Sequence, residues 1–203
     1  MIHYSFDDVL LHLEKKGKQL FGDKFKIYEQ DYDVLLKLVV YFSKNDEMAQ
    51  KLNISLHKGI LLNGNVGCGK TTIMTVFRAF LPRENRYTIK SCREVSFQFS
   101  EFGYSVIKKC SKVSLVKPID SNYCFDDLGS EQTIKHFGNE CNVMGEIILS
   151  RYDRFISNKI ITHITTNLTS SEIEDYYGTR VRSRMREMFN LVSYERTTPD
   201  KRM

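Results

Sequence analysis

The stretch Gly59-Ile60-Leu61-Leu62-Asn63-Gly64-Asn65-Val66-Gly67-Cys68-Gly69-Lys70-Thr71 decides how the chain is read. A short apolar run, 59–63, has the composition of a buried strand and breaks at a glycine-rich turn. Helical spacing resumes over 70–81. The turn itself, Gly64 through Thr71, satisfies the pattern G-x-x-x-x-G-K-[S/T] in full. Glycines let backbone N–H groups turn inward and approach phosphate oxygens closely. The helix that follows presents its positive end to the same anion. Lys70 is then expected to reach the β- and γ-phosphates of a nucleotide. The Thr71 hydroxyl is expected to ligate magnesium, and Thr72 to add a phosphate contact. A chance glycine-rich turn is the competing reading, weakened by the strand before it and by partners further along the chain. Cys68 inside the turn reads as a small residue of the loop rather than a reactive thiol.

Working outward, Asn122-Tyr-Cys-Phe125 is a third strand that ends in Asp126 and Asp127. Acids at the carboxyl end of such a strand emerge beside a phosphate loop. Asp126 would hold magnesium, directly or through water, and Asp127 would orient or activate the attacking water. A solvated loop after a strand is the alternative. A further strand ends in Thr165-Thr166-Asn167, where Asn167 can stand between the acids and the γ-phosphate and position that water. Asparagine also ends strands in ordinary turns, so it says little alone. Arg180, Arg182, Arg184 and Arg186 alternate through 178–188. On a helix, Arg180 and Arg184 share one face, and Arg182 and Arg186 share another about 200° away. One pair suits a neighbour's γ-phosphate, the other acids or nucleic acid. A solvated basic helix is the plain alternative, although arginine rather than lysine favours recognition of carboxylate or phosphate.

The spacing predicts helices over 5–21 and 29–43, a polar connection over 43–58, and then alternating elements. These are a strand at 86–90, a helix over 94–109, a long helix over about 139–157, a strand at 159–165, helices near 170–176 and 179–187, and a last strand around 189–194. Strands alternating with helices imply a parallel sheet covered on both faces, an α/β architecture. Two parts follow: a helical N-terminal segment, 1–58, either packed as a subdomain or docking a partner, and a main domain over 59–203.

The 203 residues carry a net charge of +5, all of it beyond residue 58, because the first 58 hold 9 lysines and 9 acids. That excess permits an anionic partner without demanding one. Cys68, Cys92, Cys110, Cys124 and Cys141 show no C-x-x-C spacing, and the count is odd. Free, mostly buried thiols in a reducing compartment are expected, with no zinc site, since His136 and Cys141 do not form ligand pairs. The first residues lack a secretory leader, and no run approaches a membrane span. A cytoplasmic protein with no membrane partner is expected.

Gly64–Thr72, Phe125-Asp126-Asp127-Leu128-Gly129, Arg151 in the long helix, Thr166-Asn167-Leu168 and Gly178-Thr-Arg180-Val-Arg182-Ser-Arg184-Met185 follow one another as in the DnaC/IstB-type AAA+ ATPases, which this chain resembles over 59–190. Those are bacterial and phage helicase loaders and transposition helpers. The resemblance implies a P-loop NTPase fold of AAA+ type without a separate lid. It implies binding of ATP with Mg2+, slow hydrolysis stimulated by assembly or DNA, and self-association that puts the site at the subunit interface. It also implies action on DNA, single-stranded as the expected form, and contact with a replicative helicase or a transposase. By the same resemblance Asn167 looks like sensor 1, Arg184 like the arginine finger and Arg180 like a second inter-subunit arginine. Asp127 stands where the family usually has glutamate, and the N-terminal segment is short for a helicase-docking domain. Two other readings stay open: a DNA-binding or scaffolding module using ATP as an assembly switch, and a P-loop small-molecule kinase.

Overall fold

The computed structural model describes residues 5–111, 122–131, 134–136 and 139–202, and side chains throughout these except over 134–140, where the His136 expectation falls. Its centre is a five-stranded parallel sheet in the order β2-β3-β6-β1-β7. These strands are β1 (Gly59–Asn63), β2 (Thr88–Ser91), β3 (Tyr123–Leu128), β6 (Thr162–Thr166) and β7 (Phe189–Ser193). A small antiparallel pair, β4 (Ile134–His136) and β5 (Asn139–Cys141), stands apart.

Side-chain alternation along the strands builds two cores. Ile60, Leu62, Cys124, His163 and Val192 face one way. There they meet α1 (Phe6–Phe21), α2 (Tyr32–Phe42), α3 (Asp46–Lys51) and α4 (Lys70–Phe80) through Leu13, Leu35, Leu38, Ala49, Met74 and Phe77. Tyr123, Phe125, Ile164 and Phe189 face the other way. They are covered by α5 (Cys92–Phe102), α6 (Tyr104–Ser111), α7 (Val143–Asn158) and α8 (Ser170–Met188). The N-terminal helices therefore share one apolar cluster with the phosphate-loop strand. All five cysteines are buried and free.

Local chemistry fixes the helix ends. Ser5 with Asp8, and Thr169 with Glu172, form reciprocal capping boxes on α1 and α8. Asn142 and Asn45 cap α7 and α3 through their side chains. Several boundaries differ from the sequence expectation. The polar connection contains α3. The helix expected over 94–109 breaks into α5 and α6 at Gly103, whose φ of 57° leaves helical geometry. The start expected for the long helix at 139 belongs to β5. The pair of helices expected near 170–176 and 179–187 is present: α8 is two helical stretches divided at Gly178, whose φ of 86° and ψ of 161° are not helical. Arg151, a member of the motif series above, lies in the core. It is 0% exposed and donates to Thr162 Oγ1, the Cys110 carbonyl and the Ile161 carbonyl. Burial lowers its pKa to about 10. No helix among the described residues is long and apolar enough to cross a membrane.

Candidate functional site

Parallel strands put their carboxyl ends on one edge, and here β1, β3 and β6 open there into a cleft of about 520 Å3. The loop between β1 and α4 forms its floor. Gly67 and Gly69 adopt φ of 80° and 100°, left-handed values that turn successive backbone N–H groups to one side. Cys68 is fully buried beneath the loop, and burial pushes its thiol pKa up. Unlike its neighbours Gly67 and Gly69, Cys68 does not line the cleft. The Lys70 side chain is 8% exposed. Its ammonium donates to the carbonyls of Gly64 at 2.6 Å and Asn65 at 2.9 Å, which holds the loop closed on itself.

Asp126 and Asp127 pose a geometric problem. Neighbours on a regular strand point to opposite faces, yet both line this cleft. A bulge solves it. Phe125 pairs with Ile164 and Leu128 with Thr166, so β3 fits one more residue into the interval than β6 does. Asp127 takes the left-handed conformation, φ 60°, which aspartate tolerates better than most residues. Its N–H, released from the ladder, donates to Thr165 Oγ1 at 2.9 Å, and that hydroxyl donates to Asp126 Oδ1 at 2.7 Å. Thr71 Oγ1 donates to the Asp126 carboxylate, 2.9 Å from each oxygen. The hydroxyl of the loop and the acid of β3 are thus in direct contact. Hard oxygen donors so placed suit a magnesium ion.

Strand β6 lies between β1 and β3 in the sheet, so the residue after it, Asn167, emerges between loop and acids and lines the same cleft. Val66, Gly67, Gly69, Lys70, Thr71, Thr72, Asp126, Asp127 and Asn167 are therefore brought together as expected from the sequence. Gly64 and Asn65 line a second cleft of about 710 Å3 on the other side of the loop, with Arg182 and Arg186. Arg180 and Arg184 line neither. Arg184 stacks over the Tyr152 ring at 4.3 Å and pairs with Glu187 at 3.3 Å, while Arg182 pairs with Glu174. The two faces expected of this helix are occupied differently.

Sequence reasoning missed the far wall of the cleft. Lys24, Lys26, Tyr28 and Asp31 come to it from the segment before α2, and Lys201 and Arg202 from the residues after β7. Neither stretch has a periodicity or a motif. The only sequence signal was the acid at Asp31, which reads as a helix-start residue. Thr165, which links the two aspartates, was visible only as part of a strand end.

No family model and no curated protein matches the chain. Solved structures do resemble it. A DnaC helicase loader superposes with a TM-score of 0.52 at 19% identity, covering 77% of this chain and 91% of that one. A protein of Streptococcus pyogenes serotype M3, described as a candidate primosome component, gives 0.53 at 16% identity over 78% and 79%. DnaI gives 0.50 at 19% over 75% and 84%. At these identities the likeness is one of fold: the chain has the α/β P-loop fold of these solved structures.

Proposed function

We propose that the chain is an ATP-binding and ATP-hydrolysing AAA+ protein of the helicase-loader kind, which assembles with copies of itself and acts on DNA. The observation that carries this reading is the contact of Thr71 with Asp126, with Asp127 and Asn167 beside it in one cleft. A phosphate loop alone would suit many nucleotide binders. A loop hydroxyl bonded to a strand-end acid, with a polar residue from the intervening strand between them, suits cleavage of a phosphoanhydride by water.

In this reading the loop amides and Lys70 hold the phosphates of ATP. Thr71 and Asp126 are the ligands for magnesium, which when bound neutralises phosphate charge. Asp127 accepts the proton of the attacking water as the γ-phosphorus–oxygen bond breaks, and Asn167 fixes that water's position. Arg184 serves the site of an adjacent copy, where a guanidinium stabilises charge on the transferred phosphoryl group. Residues 1–58 or the basic second cleft offer surfaces for a replicative helicase, a transposase or DNA. A second reading, ATP as an assembly switch with little turnover, draws support from Asp127, whose carboxylate reaches one methylene less far than glutamate.

The test is nucleotide binding and turnover of the full chain, with magnesium and with or without single-stranded DNA. Binding with turnover raised by DNA supports the first reading, and binding without turnover the switch. Transfer of the γ-phosphate to a small acceptor by a monomer would replace both with a kinase. Absence of ATP binding defeats all three.

A further inference from the structure

The residues after β7 do not leave the molecule. They turn back across the phosphate loop. Asn65 donates through Nδ2 to the Arg196 carbonyl at 2.6 Å, and the Lys201 N–H donates to the Gly67 carbonyl at 3.1 Å. A Cβ placed on Gly67 would fall 2.0 Å from Asp200 Oδ1, so this strap rests directly on the left-handed turn of the loop. Its position brings the Lys201 ammonium to 3.7 Å from where a Cβ on Gly69 would stand, beside the backbone that leads into Lys70. Asp31 holds that ammonium at 2.5 Å, with side-chain exposures of 16% for Lys201 and 2% for Asp31. The rings of Tyr28 and Tyr194 lie 5.6 and 5.2 Å from it.

We propose that Lys201 is a second phosphate-contacting lysine, delivered by the C-terminal strap to the nucleotide of its own chain and positioned there by Asp31. The proposal rests on the nucleotide-binding reading above and names a residue that reading does not contain. An ammonium has three donors, and one carboxylate oxygen engages one of them. Lys70 shares its ammonium with two loop carbonyls, so a second ammonium lining the cleft adds donors for a polyphosphate beside it. Lysine suits that task, as a compact charge on a flexible stem that can stay near Asp31 and still turn to phosphate. Arg202 also lines the cleft, but its side chain is 66% exposed and bonded to neighbouring Asp200, so it contributes less.

The experiment titrates the full chain with a fluorescent ATP analogue in magnesium, then displaces it with ATP or with inorganic triphosphate. Wild type is compared with Lys201→Met, Lys201→Arg, Arg202→Met and Lys70→Ala. Loss of one charged hydrogen bond corresponds to about tenfold in affinity. Lys201→Met should weaken ATP and triphosphate alike by about that factor, Lys201→Arg should recover most of it, and Arg202→Met should change little. Unchanged affinity in Lys201→Met, or a loss for ATP with none for triphosphate, overturns the proposal. Should Lys201→Met fail to fold, wild type decides through amine-reactive labelling read by mass spectrometry. Both ATP and triphosphate should protect Lys201, and equal labelling with and without them refutes the contact. If wild type binds no nucleotide, the reading of the cleft falls. If wild type binds, Lys70→Ala does not and Lys201→Met does, only this inference falls.

Discussion

Acidification tests the packing of the central strand through one imidazole. His163 is the second residue of β6, with its ring among Tyr41, Phe42 and Tyr87 at centroid distances of 5.8, 5.6 and 4.7 Å. Its Nδ1 is 3.1 Å from the Ile60 N–H and accepts from it, so the ring proton sits on Nε2. A second proton would face that N–H and would bring a charge into an apolar core. Burial first, and the Arg151 charge second, push its pKa down from 6.5 to about 3. Between those values the unfolded chain binds a proton that the folded chain refuses. Stability is therefore whole above pH 6.5 and falls as pH drops towards 3, by up to about 1.4 kcal/mol per pH unit. Carboxylates add their own acid sensitivity, so the readout is a difference. Urea denaturation at pH 7.5, 6.5, 5.5 and 4.5 should give a steeper decline for wild type than for His163→Gln, which keeps an acceptor for Ile60 but cannot protonate. Parallel declines in the two proteins would show that His163 is charged or solvated in the fold and refute the argument.

Four further expectations concern the site and its support. Asp127→Asn should bind ATP normally and slow hydrolysis by about 10²-fold or more, measured by phosphate release. Asp127→Glu should lower stability by about 1 kcal/mol in denaturant titrations, because a longer side chain is held at φ 60°, even if its reach raises turnover. Arg184→Ala should leave folding nearly unchanged, since it loses a surface stack on Tyr152, a hydrogen bond to that residue's hydroxyl and a surface pair with Glu187. Its turnover should drop by about 10³-fold, and mixing it with Lys70→Ala should restore activity through hybrid interfaces; no recovery at any ratio excludes action in trans. Arg151→Ala should cost about 3–5 kcal/mol in urea midpoints, through a cavity and three acceptors left without their donor. A small loss there would mean that water or a neighbour replaces the guanidinium.

What could be read from sequence was what local rules govern. The apolar run 59–63, the glycines and the helix after Lys70 follow from backbone sterics and side-chain period, and the structure matches them almost residue for residue. The acids of β3 were expected beside the loop, but the backbone device that turns both of them that way was not. It depends on a bulge that forms only when β3 pairs with β6. Helix α3 is six residues long, too short to show an apolar stripe, and the three-residue strands β4 and β5 have no readable period. The break at Gly103 has a weak local signal, because a single glycine lowers helix stability only modestly. Arg151 entered the reading only as one residue of a motif series, and nothing local showed that two backbone carbonyls and one hydroxyl would make it part of the core. The strap over the loop is polar and aperiodic, and only tertiary contacts with Asp31, Asn65 and Gly67 give it a place.

The five buried thiols turn the molecule into its own stopwatch. Burial raises the pKa of each, so each stays protonated and slow towards alkylating reagents while the fold is closed. Modification then waits for the surroundings of that one sulfur to open, and its rate reports the free energy of that opening. Cys68 times the phosphate loop, Cys124 the centre of the sheet, Cys92 and Cys110 the layer of α5 and α6, and Cys141 the entry to α7. A mass-resolved alkylation series would therefore rank five regions by how often they breathe, without placing a single foreign label in the chain.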